Sequence, residues 1–132
     1  MYANRHGYGD PDYFHKANDE TLVVVLIEDI IAINNLAEIL TVDHVDVFFV
    51  APTDLAQTMG YLDGADHPEV LATVDKAIEQ ITGAGRVAGA LVADATVEEY
   101  IKKGARFLMT GWPGWVESGA QAFKANVEAA LA

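Results

Sequence analysis

Two carboxylates stand where chemistry could be done. Glu28 ends the apolar run "TLVVVLIE", and Asp54 follows the apolar run "VDVFFVA" by three residues. Runs of this kind read as buried strands of a parallel sheet, and in such folds function collects at the strands' C-terminal ends. Strands consecutive in sequence tend to be neighbours in space, so the two carboxylates are expected to converge. Two converging carboxylates repel unless a proton or a cation lies between them. An all-oxygen site of that type suits Mg²⁺ or Mn²⁺, with water or substrate completing the octahedron. Against this stands a plainer reading, in which Asp54 only caps the helix that follows. The rest of the turn, Ala51, Pro52 and Thr53, bears on the choice. Pro52 restricts the backbone, and a helix starting here would present the amides of Thr53 and Asp54 to an anion. A cation beside an anion site would receive a small 2-oxo acid through its ketone and carboxylate oxygens.

The elements that must position these residues alternate along the chain. Strands are expected at 21–28, 45–51, 87–93 and 106–111. A helix is expected at 30–40, with Ile33, Leu36, Ala37 and Leu40 inward. A short helix follows Pro52 and stops at Gly60. The next helix opens on an Asp66/Glu69 capping box with Pro68 in its first turn, and it buries Val70, Val74, Ile78 and Ile81 before Gly83 and Gly85. Thr96 and Glu99 form a second such box, at the head of "VEEYIKKG". A last helix carries the stripe Val116, Ala120, Phe123, Val127 and Leu131. Residues 1–20 read as a loop and a helix ahead of the first strand. The whole, 1–132, is one α/β domain of four βα units. That is half of a (β/α)8 TIM barrel, or else a small doubly wound sheet. Half a barrel leaves two sheet edges and an apolar interior uncovered, so completion by oligomerisation, most simply a homo-oligomer, is expected.

Composition narrows the partners. With 20 acidic against 8 basic side chains the chain carries a formal charge of −12, which opposes nucleic acid and anionic membrane surfaces. The absence of cysteine excludes disulfides, thiolate metal sites and a cysteine nucleophile. No apolar run is long enough to span a bilayer, and "MYANRHGYGDPDYF" has no secretory h-region, so a cytoplasmic location is expected.

Other residues divide between chemistry and structure. Trp112 and Trp115, in "TGWPGW", could wall a pocket beyond the last strand or pack in a subunit interface. Arg5 and His6 belong to a loop that could hang over the pocket or to a free terminus. His44 falls in a turn at the far end of the sheet, His67 near a helix start as a cap or a solvated side chain, and His15 on an exposed helix. Lys102 and Lys103 end a helix, where cations complement its dipole, so a Schiff-base lysine is not expected. The glycine clusters are turns, because no phosphate-loop pattern follows a strand.

Taken together, "DYFHKAND", "VVVLIED", "VDVFFVAPTDLAQTMGYLDGADHPEV", "AGRVAGALV" and "YIKKGARFLMTG" resemble the HpcH/HpaI class II aldolases. The resemblance runs from about residue 3 to the C-terminus. It implies a lyase: a divalent-metal-dependent, reversible aldol cleavage of 4-hydroxy-2-oxo acids, giving pyruvate and an aldehyde. It places the metal carboxylates on Glu28 and Asp54 and the pyruvate-carboxylate loop on Ala51, Pro52, Thr53 and Asp54. The family usually has glycine where Ala51 stands, so a methyl group would crowd the ligand. In the family, proton transfer belongs to a His with an acidic partner and an Arg, all from earlier units of the barrel. No residue here matches them, so no catalytic acid or base is assigned. An Asp often seen near Trp112 and Trp115 is replaced by the Pro113–Gly114 pair. The resemblance also implies a hexamer with a swapped last helix. The alternative is a catalytically idle half-barrel that binds metal and 2-oxo acid, or an assembly module.

Overall fold

A computed structural model describes residues 9–62 and 64–132. Four strands, β1 (Val24–Ile27), β2 (Val47–Val50), β3 (Ala88–Leu91) and β4 (Phe107–Met109), form one parallel sheet in the order β1-β2-β3-β4. That sequential order excludes the doubly wound alternative, whose chain must reverse direction across the sheet. The chain is four βα units of a partial (β/α)8 barrel. The helices are α1 (Tyr13–Glu20), α2 (Ile30–Asn34), α3 (Leu36–Ile39), α4 (Pro52–Thr58), α5 (Pro68–Gly83), α6 (Val97–Lys102) and α7 (Pro113–Leu131).

The sheet has two unlike faces. Alternation puts Val25, Ile27, Phe48, Val50, Ala88 and Ala90 toward the helices. There they pack with Leu36, Leu55, Val70, Val74, Ile78, Ile81 and Tyr100 in a single core. The opposite face carries Val24, Leu26, Val47, Phe49, Leu91, Phe107 and Met109, paired in register across the sheet. Its middle is closed. The Phe49 and Phe107 rings meet edge to face at 6.2 Å, and a Cβ on the intervening Gly89 would come within 2.7 Å of Phe49 Cδ2. Its margins are open: Leu26 is 56% exposed and Met109 49%. Burial on both faces therefore holds for β2 and fails for the edge strands β1 and β4.

Several local expectations change. The helix at 30–40 divides into α2 and α3 at Asn35, whose backbone leaves the helical region at φ −103°, ψ 10°. Leu36 and Leu40 are buried as expected, whereas Ala37 is exposed. The Asp66/Glu69 box does not form. His67 is the N-cap of α5, its Nδ1 accepting from the Glu69 amide at 3.3 Å, and its ring stacks on Tyr61 at 3.7 Å. The Glu69 carboxylate accepts from the Tyr61 hydroxyl instead of reaching back to the cap. The Thr96/Glu99 box fails for a similar reason. The Thr96 hydroxyl accepts from the Ala93 amide at 3.0 Å, and Glu99 accepts from Lys103 at 2.6 Å. The stripe of α7 is exposed along its length, Phe123 at 71%.

At the N-terminal end of the sheet, Arg86 closes the turn that leads into β2. Its guanidinium donates to the carbonyls of Leu40 (3.0 Å), Val42 (3.0 Å) and Val45 (2.9 Å) and lies 4.9 Å from the Phe48 ring centroid. His44 sits inside this turn at φ 61°, a structural place in keeping with its expected distance from any chemistry. Replacing the fork strands three carbonyls, so Arg86→Ala is expected to lower unfolding free energy by about 2 kcal/mol in urea titrations, with Arg86→Lys recovering less than half. Gly89→Ala forces a methyl against the Phe49 ring and is expected to lose about 1–3 kcal/mol in the same measurement.

Candidate functional site

The parallel register decides where the two carboxylates lie. Ile27 pairs with Val50, and one step beyond the ladder the Ala51 amide donates to the Ile27 carbonyl at 3.1 Å. Glu28 and the Ala51 turn thus leave adjacent strands side by side at the C-terminal end of the sheet. Alternation gives Glu28 the same face as Leu26, and Ala51 the same face as Phe49, the face away from the helical core. Glu28 is half-buried there.

Asp54 is not the cap of its helix. The N-cap of α4 is Ala51, with φ −105° and ψ 108° and no side-chain hydrogen bond; Pro52 opens the helix and Asp54 stands third in it. Its carboxylate is exposed and projects from the first turn, where the helix dipole favours negative charge. At that depth the amides of Thr53 and Asp54 have no intrahelical acceptor. Among the described residues, neither Glu28 nor Asp54 has a cationic partner or a side-chain hydrogen bond. Nor is there, among those residues, a group of three or more histidines and carboxylates close enough to hold a metal. The protein side of the site is two oxygen donors from neighbouring strand ends. That donor set fits a hard divalent cation whose remaining positions go to water or substrate.

Sequence reasoning overlooked Asp29. It caps α2, accepting from the Ile31 amide at 2.6 Å, and the Ile30 amide donates to Thr58 Oγ1 at 3.1 Å. The first bond fixes the start of α2, and the second ties the loop after β1 to the end of α4. An Asp immediately before an apolar run is a recognisable cap signal, and here it was masked by the interest of Glu28 beside it.

The indoles separate. Trp115, in the first turn of α7, lines two grooves at the C-terminal ends of β3 and β4, together with Ala93, Asp94 and Thr110. Trp112 is the N-cap residue of α7, is 67% exposed, and lines neither groove. A third groove, of about 380 Å³, takes in Pro52, Asp66, Leu91, Thr96, Tyr100 and Thr110. Glu28 and Asp54 line none of the three, although Pro52, two residues before Asp54, lines the third. Burial raises the Tyr100 phenol above its usual range, so it stays protonated as a donor.

The remaining candidates are structural. Lys103 reaches Asp75 and Glu99, both at 2.6 Å, and lies 5.1 Å from the Tyr100 ring centroid. Partial burial opposes its charge, but the two carboxylates outweigh that and its pKa is raised, which suits an ion-pair anchor and not a nucleophilic amine. Lys102 pairs with Glu98 at 2.6 Å. His15 lies on α1, with its side chain outside any site described above. Arg5 and His6 lie outside the described residues, as does Asp63 of the "YLDGA" turn. Among the described residues no helix is long and apolar enough to cross a membrane.

Comparison with known proteins bears on family and fold. The chain is 45% identical over 102 residues to the 4-hydroxy-2-oxo-heptane-1,7-dioate aldolase of Salmonella paratyphi B, a match covering 76% of this chain and 39% of that protein. The same figures hold for the Salmonella typhi protein of that name. Among solved structures, an HpcH/HpaI aldolase/citrate lyase family protein from Burkholderia cenocepacia superposes with a TM-score of 0.79 at 26% identity, over 92% of this chain and 49% of that one. An HpcH/HpaI aldolase from Desulfitobacterium hafniense gives 0.71 at 24% identity, over 87% and 46%. The chain thus spans about two-fifths of the curated relatives and about half of the solved structures it matches. The sequence model of HpcH/HpaI aldolase/citrate lyase matches residues 3–116, and the chain belongs to that family.

Proposed function

We propose that this chain carries the metal and pyruvate sites of a class II pyruvate aldolase, a lyase that reversibly cleaves 4-hydroxy-2-oxo acids to pyruvate and an aldehyde. The observation that supports it most is the pair of carboxylates, Glu28 and Asp54, without partners among the described residues and set at the ends of hydrogen-bonded neighbouring strands in a chain of this family. In this reading Glu28 and Asp54 hold Mg²⁺ or Mn²⁺. The amides of Thr53 and Asp54, in the turn Ala51–Asp54, hold the pyruvate carboxylate. The methyl of Ala51 bounds that pocket on the strand side. Trp115 walls the aldehyde side.

The chemistry divides between binding and proton transfer. The C3–C4 bond of the substrate breaks, the C4 hydroxyl gives up its proton, and C3 of the nascent pyruvate takes one up. A divalent cation, when bound, supplies a Lewis acid that stabilises negative charge developing on the keto oxygen. The turn orients the 2-oxo acid so that this charge develops in a fixed place. Both proton transfers need a base and an acid, and the family resemblance assigns those to units ahead of the ones found here. Turnover in this reading needs a barrel completed by further βα units, from a longer chain or from an oligomer. The exposed margins of β1 and β4 and the bare stripe of α7 favour such a completion. They equally support the second reading, an idle half-barrel that binds cation and 2-oxo acid as an assembly module.

Mn²⁺ titration calorimetry tests the site itself. Glu28→Gln and Asp54→Asn are each expected to weaken binding by at least about tenfold, since even an outer-sphere partner of a metal ligand is worth that much, and the double variant to abolish it. Because both carboxylates lack protein partners among the described residues, neither substitution should shift the unfolding midpoint appreciably. Unchanged Mn²⁺ affinity in the double variant would refute the assignment.

Exchange of pyruvate methyl protons in D₂O, followed by NMR, then separates the two readings. Metal-dependent exchange that disappears in Asp54→Asn is expected of the aldolase. Intact metal binding without exchange is the result expected of the idle half-barrel.

A further inference from the structure

The segments that carry the two carboxylates are joined on both sides of them. On one side the Ala51 amide donates to the Ile27 carbonyl at 3.1 Å, just before Glu28 leaves β1. On the other side the join is a single hydroxyl. Thr58 Oγ1 accepts from the Ile30 amide at 3.1 Å and donates to the Leu55 carbonyl at 2.9 Å. Ile30 follows Glu28 by two residues, and Leu55 follows Asp54 directly. The bonds therefore close a ring. Residues 27–30 form one side of it and residues 51–55 the other, with the ladder bond at one end and Thr58 at the other.

The chemistry of this join is specific. Ile30 opens α2, so its amide has no acceptor inside that helix. Asp29, the N-cap, is spent on the next amide, that of Ile31, at 2.6 Å. The Ile30 donor is thus left for another element. A threonine hydroxyl can donate and accept at once. Its bond to Leu55, inside α4, fixes the hydroxyl so that its lone pairs remain for Ile30. A methyl group of the same shape could do neither. α4 has only 7 residues, and Thr58 is the last of them. A helix this short is held before its start by the Ala51 amide and at its end by Thr58, and the turn carrying Asp54 lies between the two.

We propose that Thr58 is a positioning residue for the cation site, acting through the backbone to set the separation of Glu28 and Asp54. This rests on the aldolase reading and adds to it a residue outside the metal and pyruvate turn. Without the hydroxyl, the loop after β1 pivots on the Ile27–Ala51 bond alone. A cation must then order the two carboxylates as it binds, and affinity falls by the cost of that ordering.

Mn²⁺ calorimetry on Thr58→Val and Thr58→Ser tests this, with hydrogen exchange at the Ile30 amide followed by NMR on the metal-free chain. Thr58→Val keeps the shape and removes the hydroxyl. It is expected to weaken Mn²⁺ binding about fivefold, the equilibrium equivalent of one net hydrogen bond, and to speed Ile30 exchange by about the same factor. Thr58→Ser restores the hydroxyl and should bring both readings within about twofold of the unsubstituted chain. Thr82→Val is the control. The Thr82 hydroxyl also bonds within its own helix, to the Ile78 carbonyl at 2.8 Å, but at the far end of α5. Its loss should leave Mn²⁺ affinity within about twofold, whatever it does to the unfolding midpoint. Unchanged Mn²⁺ affinity or unchanged Ile30 exchange in Thr58→Val, no rescue by Thr58→Ser, or an equal loss of affinity in Thr82→Val would each overturn the proposal. The Glu28→Gln, Asp54→Asn double variant is measured alongside. If it binds Mn²⁺ as before, the metal reading fails and this proposal with it. If it loses binding while Thr58→Val does not, only the positioning role fails.

Discussion

The hydrogen bond from the Ala51 amide to the Ile27 carbonyl is where fold becomes site. It continues the β1–β2 ladder one step past the last paired residues. By doing so it fixes the exit of β2 against the exit of β1. Without that step the two carboxylates would belong to independent loops. With it, Glu28 lies one residue beyond an anchored carbonyl, and Asp54 three residues beyond an anchored amide. Pro52 then turns the chain at once into α4, so little backbone freedom remains between anchor and carboxylate. The sheet needs a matching constraint at its other end, and Arg86 supplies it. One guanidinium bound to three carbonyls holds the turn before β2, so the strand enters and leaves the sheet at fixed points.

Much of this was legible from residue order, for a reason that differs from element to element. Apolar runs separated by amphipathic ones can be stacked in few ways, and the parallel sheet with sequential order is the simplest of them. The stripe Val70, Val74, Ile78, Ile81 was equally plain, because a long helix repeats its signal through several turns, and all four residues are buried. Short-range signals were less dependable. Both capping boxes dissolved because each acid found another partner. Glu69 is taken by the Tyr61 hydroxyl and Glu99 by Lys103. Tyr61 is eight residues from Glu69, across a loop whose path no local pattern specifies. The division between α2 and α3 was similarly hidden. Two adjacent asparagines weaken a helix, but only the packed position of Leu36 shows where the chain must restart.

For the site, the types of residue were readable and the surroundings were not. Glu28 and Asp54 stood out as acids following apolar runs. That Asp54 is third in its helix, with Ala51 as the cap, depends on how early Pro52 lets the helix begin. The grooves at the strand ends were invisible for a simpler reason. Pro52, Asp94, Thr110 and Trp115 come from three separate loops, each dull alone, and only the parallel sheet brings those loops to one end.

The uncovered surfaces follow from the same geometry. A sheet of four strands with sequential order curves toward closure but has two edges, and the face opposite the helices stays dry only where its own side chains close over it. Phe49 and Phe107 manage this at the centre, with room lent by Gly89. At the margins Val24, Leu26 and Met109 have nothing comparable above them, and α7 carries Phe123, Val127 and Leu131 bare. Exposed apolar area of this extent, on strands that have no outer neighbour among the described residues, is a standing invitation to association. The acidic surface works the other way, since like charge keeps chance encounters apart. A partner that adds strands at both edges would satisfy the ladder, cover the margins and complete the ring of strand ends around Glu28 and Asp54. Covering the apolar face and completing the ring of strand ends are then one event, because both are properties of a closed barrel.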